Sequence, residues 1–165
     1  MNRRGCAIGA ASLLSGQMQL DYIHTTEHPV CRVPARYYRM MNAAGEHIGN
    51  INLRLDTTEA ITRYAGHIGY EVFPEHRGYR YAARAVRSLI PVAREHGIGT
   101  LWITCDPENT ASRRTLELAG AEYVETVNVL YNHAIFLAGH PRKCRYRLAT
   151  SPETDAPQIP SEETL

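Results

Sequence analysis

The chain has no apolar run approaching the roughly 20 residues that span a bilayer, so the sequence offers no membrane-crossing helix. It also lacks an excess of positive charge. Its formal net charge is +1, whereas a general nucleic-acid binder is strongly basic. Cysteine is sparse: Cys6, Cys31, Cys105 and Cys144 are scattered, with no CxxC pair. That excludes a disulfide scaffold and points to a reducing, cytoplasmic setting. Three glycine signatures are missing as well. No Gly-Lys-Ser/Thr ending is present, which weakens a nucleotide triphosphatase, and no GxGxxG, which weakens a dinucleotide fold. No Gly-x-Ser-x-Gly elbow supports a serine hydrolase.

What remains is ordinary globular material. The 165 residues are 44% hydrophobic and 21% charged, enough for one domain with a substantial core. The stretch "MNRRGCAIGAASLLSG" is basic at its start and weakly apolar in its middle, but Gly5, Gly9, Ser12 and Gly16 interrupt it. It reads as a flexible extension over residues 1–17 rather than a secretion signal. The acidic, proline-bearing stretch "SPETDAPQIPSEETL" reads as a disordered tail over residues 150–165, leaving a domain over 18–149.

Periodicity divides this domain. "RVPARYYRMMN" and "AAGEHIGNINLRLD" are expected as two strands joined by a turn at Ala44–Gly45. In the second, Ile51, Leu53 and Leu55 alternate with Asn50, Asn52 and Arg54, the pattern of a half-buried strand. "HIGYEVF" alternates too, placing Ile68, Tyr70 and Val72 on one face and His67, Glu71 and Phe73 on the other. From Tyr79 the period becomes helical, through Ala82, Ala85, Val86, Leu89, Ile90 and Ala93. Pro91 falls inside that pattern and predicts a kink or an early end. "TLWITC" is a short strand. "DPENTASRRTLELAGA" is a second helix, with Asn109 as N-cap and Gly120 as C-terminal stop. Late strands at "AEYVETVNV" and "KCRYRLA" complete an α/β architecture, a mixed and mostly antiparallel sheet flanked by helices.

The most informative junction is "VFPEHRGYRYAARA", where a strand passes through a glycine-containing, arginine-bearing turn into a helix. The mouth of a helix carries unpaired N–H groups and the positive end of its dipole, and a glycine lets an anion approach them. With the triphosphatase and dinucleotide signatures absent, a pyrophosphate held mainly by backbone amides fits best. A capped helix start with surface arginines is the plainer alternative.

This pattern resembles the GCN5-related N-acetyltransferase (GNAT) family over roughly residues 33–148. The family's acetyl-CoA signature, Arg/Gln-x-x-Gly-x-Gly/Ala after the central strand, aligns with "RGYRYA", although Arg80 stands where a glycine is usual. "NTASRRTLELAGA" resembles the family's Asn-x-x-Ser/Ala helix, in a pattern nearest to the subgroup that acetylates ribosomal-protein N-termini. "GEHIGNINLRL" is similar to its early strand. The resemblance implies transfer of an acetyl group from acetyl-CoA, as co-substrate and without a metal, to a primary amine in a ternary complex. A non-catalytic acyl-CoA-binding module of the same fold is the alternative.

It also implies roles. Arg77, Gly78, Tyr79, Arg80, Tyr81 and Ala82 would form the pyrophosphate loop, and Val72 and Phe73 would pair with the pantetheine arm. Asn109 would meet that arm, or serve only as N-cap. Where many members carry a tyrosine seven residues after the asparagine, this chain has Leu116, so Ser112 is the remaining donor to the thiolate; a serine capping the first turn is equally consistent. Ser112 would also touch the coenzyme. Glu71 is the first candidate for general base and His67 the second, against roles as an ion-pair partner and a structural histidine.

Other groupings carry less. Arg80, Arg84 and Arg87 fall on one helical stripe that fits a 3′-phosphate or, more plainly, a solvated face. His24, His28 and Cys31 lie close in sequence without a complete metal motif. "NVLYNHAIFLAGHPRKC" is expected near the acceptor, through Tyr131 and His133. The acceptor is a small-molecule amine or a protein N-terminus, with neither nucleic acid nor membrane as partner, and the chain is expected as monomer or homodimer.

Overall fold

A computed structural model describes residues 13–15 and 17–152. The expected acidic tail lies almost wholly outside the described residues, as does most of the expected extension. Three residues of that extension, Leu13–Ser15, form strand β1 and pair antiparallel with the start of the next strand.

Four strands follow β1 in a meander: β1, β2 (Met18–Glu27), β3 (Pro34–Asn42), β4 (His47–Arg54) and β5 (Ile68–Val72) form one antiparallel sheet in that order. The β3–β4 turn closes at Gly45, whose φ of 77° suits glycine, while Asn42 Oδ1 accepts from the Ala44 and Glu46 amides. β2 has no counterpart in the periodicity reading. A bulge between Tyr22 and His24 shifts its register and breaks its alternation, so Ile23 turns outward. A second antiparallel sheet, order β6–β8–β7, is made of β6 (Thr100–Cys105), β7 (Glu122–Asn128) and β8 (Arg142–Ala149). The mostly antiparallel sheet expected from the sequence is thus parted into two.

Helix α1 (Tyr81–Ser88) ends early for the expected reason: Pro91 has no N–H to continue the ladder, and the chain restarts at Leu89 as α2 (Ile90–Glu95) with Pro91 in its first turn. The buried face runs through Ala83, Ala85, Val86, Leu89, Val92 and Ala93, and Ala82 is only half-buried. Small side chains let α1 lie close against the sheet, with Tyr38, Met40, Ile51, Leu53, Leu101, Ile103 and Tyr146 filling the layer between. Helix α3 (Thr110–Leu118) follows β6, and the short α4 (Ala134–Leu137) lies in the connection from β7 to β8. A smaller cluster of Tyr64, Val127, Val129, Ile135 and Phe136 pins that connection down.

Among the described residues, backbone hydrogen bonds join the two sheets at one end. A single π turn, Ile61–Ala65, leads into Gly66, which presses on the backbone of residues 102–104. His67 then donates its backbone N–H to the Trp102 carbonyl at 2.6 Å. In return the Trp102 N–H is taken by the His67 ring, at Nδ1, 2.9 Å away. Beyond this joint β5 and β6 share no ladder. Between them lies the cavity described next.

Candidate active site

A cavity of about 980 Å³ runs between the splayed strands, at the upper end of the ~300–1,000 Å³ typical of ligand sites. One wall is β5, from Ile68 to Val72. The other is the end of β6 with the first turns of α3, and the loop of residues 76–82 closes one end.

At that end the backbone turns through two positive-φ residues. Gly78 has φ +92°, and open space surrounds its Cα. Arg80, standing where the signature has glycine, adopts φ 62° and ψ 23°, the left-handed conformation that glycine favours. The departure in sequence is therefore not a departure in backbone, although it costs about 1–2 kcal/mol in a residue bearing a Cβ. The N–H groups of residues 78–83 find no acceptor among the described residues, and the first carbonyl bond into α1 is Arg84 N–H to Arg80 O. Arg77 Nε donates to Val72 O at 3.0 Å, bracing the loop against β5. Arg77, Gly78, Arg80, Tyr81 and Ala82 line the cavity; Tyr79 is exposed, stacked on Tyr81, and does not. On β5, Val72 lines it, while Phe73 turns away to pack edge-on against His47.

The opposite wall places Asn109 and Ser112 together. Asn109 Oδ1 accepts the Ser112 N–H at 3.0 Å, so it is the N-cap of α3, and both residues line the cavity. Ser112 Oγ is not a lone donor. It lies 2.7 Å from the phenol oxygen of Tyr70 on β5, bridging the two walls. Burial pushes the Tyr70 phenol up to about 12, so it stays protonated. Tyr70 is the site residue the sequence reading missed: alternation assigns it to a packed face, and only the splay of β5 from β6 brings its hydroxyl to α3. Leu116 is fully buried in the core, so no side chain there reaches the cavity. Cys105, at the end of β6, faces the same space, and burial, with Cys144 beside it, pushes its thiol up to about 11.

Glu71 lines the cavity from β5 and accepts from Asn50 Nδ2 at 3.1 Å. His67 does not belong to the site. It is fully buried, outside the cavity, with Nδ1 accepting from Trp102 N–H and Nε2 against Thr57 Oγ1 at 3.1 Å. Because Trp102 supplies the first proton, the ring is neutral with its own proton on Nε2, and burial pushes its pKa down to about 4. The expectation of His67 as a second base is corrected: it joins the sheets.

At the far end the cavity is lined by His28, Cys31, Arg54, Tyr64, Ile135 and His140. Tyr131 is exposed and His133 caps α4, so other residues of the expected connection face the cavity. Asp106 follows β6 and is held by Lys143 Nζ at 2.8 Å and His140 Nδ1 at 2.6 Å. Partial burial pushes its carboxyl up, and these hydrogen bonds outweigh that, leaving it below its usual range. The stripe Arg80, Arg84 and Arg87 is divided, since Arg87 donates to Ala119 O and ties α1 to α3.

The comparisons with known proteins agree with this geometry. Among solved structures, the ribosomal L7/L12 alpha-N-protein acetyltransferase RimL superposes with TM-score 0.60 at 14% identity, over 90% of this chain and 98% of that one. A ribosomal-protein-S5-alanine acetyltransferase from Vibrio fischeri gives TM-score 0.55 at 20% identity, over 73% of this chain and 64% of that one. The microcin C7 self-immunity acetyltransferase MccE, solved with acetyl-CoA and AMP, gives TM-score 0.53 at 17% identity, over 70% of this chain. The match spans 61% of MccE, less than two thirds of that protein's length. No curated protein matches by sequence. The family model described as acetyltransferase (GNAT) domain matches residues 15–122, well over half of the chain. The chain belongs to the GNAT acetyltransferase family.

Proposed function

We propose that the protein is an N-acetyltransferase that moves an acetyl group from acetyl-CoA to a primary amine, both held at once in the cavity between the sheets. The observation that carries this is the run of unpaired amides at residues 78–83, beside an open Gly78 and a left-handed Arg80, at one end of a cavity long enough for a second reactant. Those amides would take the diphosphate of the coenzyme, the Val72 backbone the pantetheine arm, and the Asn109 amide its far side.

In the reaction, the amine nitrogen bonds to the thioester carbonyl carbon, the carbon–sulfur bond breaks, and the thiolate takes a proton. Glu71, which lines the cavity, would receive the ammonium proton, directly or through water. The Tyr70–Ser112 pair spans the cleft and supplies the proton to sulfur, with Tyr70 as reserve and Ser112 as the near donor. Holding amine and thioester in one cleft supplies much of the acceleration.

A second reading, a non-catalytic acyl-CoA-binding module, rests on Leu116, which leaves the usual donor position empty of hydroxyl. Thermal-shift titration with acetyl-CoA, followed by thiol release with a panel of amines, separates the two. Binding with turnover supports the enzyme, binding without turnover the module, and no shift at all refutes both, because a ligand selective for the native state must raise its melting temperature.

A further inference from the structure

Building on the transferase reading, we infer that the acceptor amine also carries a carboxylate, and that the guanidinium of Arg54 receives it at the far end of the cavity. Arg54 ends β4, and alternation with Asn50 and Asn52 would put it on a solvated face. It is 9% exposed instead and lines the cavity. The room comes from Gly69 on the neighbouring strand. A Cβ there would stand 2.7 Å from Arg54 Nη2, so any other residue at that position would crowd the guanidinium out.

A guanidinium has five N–H donors. The two on Nη1 go to the carbonyls of Ala65 at 2.7 Å and Gly66 at 2.9 Å. Nη2 lies 3.3 Å from His28 Nε2, but His28 Nδ1 accepts from the Val30 and Cys31 amides, so Nε2 carries the ring proton and offers no lone pair. Nε is buried with no partner, and neither Nη2 hydrogen has an acceptor among the described residues. The hydrogen bonds that exist fix the fork in place and leave it incomplete.

Its charge is also uncompensated. Among the described residues, acids pair with Arg32, His140, Lys143, Arg145 and Arg147, and none with Arg54. The titratable groups that interact with it are His28, Cys31, His67 and Tyr37; burial, then the charge of Arg54, lowers His28, burial also lowers His67, and burial raises Cys31, so these three are neutral. Asn52 leaves a buried Oδ1 unpartnered nearby, but an amide has no formal charge whichever way it is turned. A buried cation without a counter-ion is costly, and an anion entering the cavity recovers that cost. Arg is the side chain whose fork matches a carboxylate.

The spacing selects an amine on a short arm. Gly69 and Glu71 lie two residues apart on one face of β5, about 6.7 Å along the strand. A carboxylate on Arg54 beside Gly69 therefore places an amine a few bonds away next to Glu71, where the acyl group would be delivered. Either a free amino acid or a peptide opening on an acidic residue supplies this chemistry.

The test follows CoA release with the wild-type protein and matched acceptor pairs: amino acids against their primary amides, and peptides opening on Asp or Glu against those opening on Asn or Gln. The carboxylate member is expected to be favoured by about a hundredfold or more in kcat/KM, because its neutral analogue leaves buried donors unpaired. A preference within the first pair assigns a free amino acid, and one within the second an acidic N-terminus; either supports the inference. Arg54→Lys should reduce the preference and Arg54→Met abolish it, while acetyl-CoA still raises the melting temperature of both. Equal use of carboxylate and amide overturns the inference, as does an Arg54→Met protein that keeps the preference.

If the Arg54 variants fail to fold, the wild type decides through ligands lacking the amine. A short carboxylic acid must raise the melting temperature of the CoA-saturated protein where its amide does not, and equal shifts overturn the inference even without turnover. Failure of acetyl-CoA to bind refutes the transferase reading instead, and acetylation without carboxylate preference refutes only this one.

Discussion

Gly66 is where the two sheets are joined, and replacing it by alanine tests whether that joint is as tight as described. A Cβ at this position would lie 3.0 Å from Thr104 N and Trp102 O and 3.1 Å from Ile103 Cα. All three are backbone atoms of β6, so no side chain can swing aside. The φ of +72° with ψ 166° is a conformation essentially confined to glycine and adds about 1–3 kcal/mol for a residue bearing a Cβ, and the overpacking adds about 1–3 kcal/mol. A smaller unfolded-state gain, about 0.4–1 kcal/mol, offsets part of this. The net loss is about 3 kcal/mol, or about 6–12 °C in Tm for a chain of this size. Gly45→Ala is the comparison: its φ is also positive, at +77°, but nothing lies within 4 Å of the added carbon, so it loses to backbone strain alone. Thermal or urea denaturation of the two variants compares the loss with and without the contact. Equal losses for both, or a Gly66→Ala midpoint within a degree or two of wild type, would refute the tight joint.

Three further outcomes are expected. Gly78→Pro removes an unpaired N–H and cannot adopt φ +92°, so acetyl-CoA affinity by calorimetry should fall about tenfold or more, one charge-assisted hydrogen bond being worth about 1.5–3 kcal/mol; unchanged affinity would count against the phosphate loop. Tyr70→Phe and Ser112→Ala should each lower kcat about 10²-fold or more if the pair protonates the thiolate, with the KM for acetyl-CoA nearly unmoved; wild-type turnover in both would leave that proton to water. The His67 pKa is depressed, so its contribution is complete above about 6.5 and lost as pH falls toward about 4, a span worth about 3 kcal/mol. Urea midpoints measured from pH 7 to 4 should show that slope in wild type, and it should flatten in His67→Gln; parallel slopes would place the acid sensitivity elsewhere.

What the sequence disclosed, and what it withheld, follows from the range of each interaction. Local devices were legible: the Asn109 cap, the Ala44–Gly45 turn, the break at Pro91 and the glycine-bearing turn that opens α1 all depend on neighbours within a few residues. β2 escaped because its bulge at Ile23 destroys the alternation that marks a strand, and its distal half is polar. The π turn at Ile61–Ala65 has no periodic signal. His67 and Arg54 misled for a shared reason. Each stands on the polar side of an alternating strand, and each is buried by a partner remote in sequence: Trp102 for the histidine, Gly69 and His28 for the arginine. Tyr70 meets Ser112 across 42 positions, and no local pattern anticipates such a pairing.

The cysteine at the tip of β6 has one further consequence. A thiol beside an activated thioester is the natural competitor for the acyl group, because sulfur exchange needs only a thiolate. With its pKa at about 11, Cys105 is ionised in about one molecule in ten thousand at neutral pH. The enzyme would therefore be protected from acylating itself, and mass spectrometry after prolonged incubation with the donor should find this sulfur unmodified.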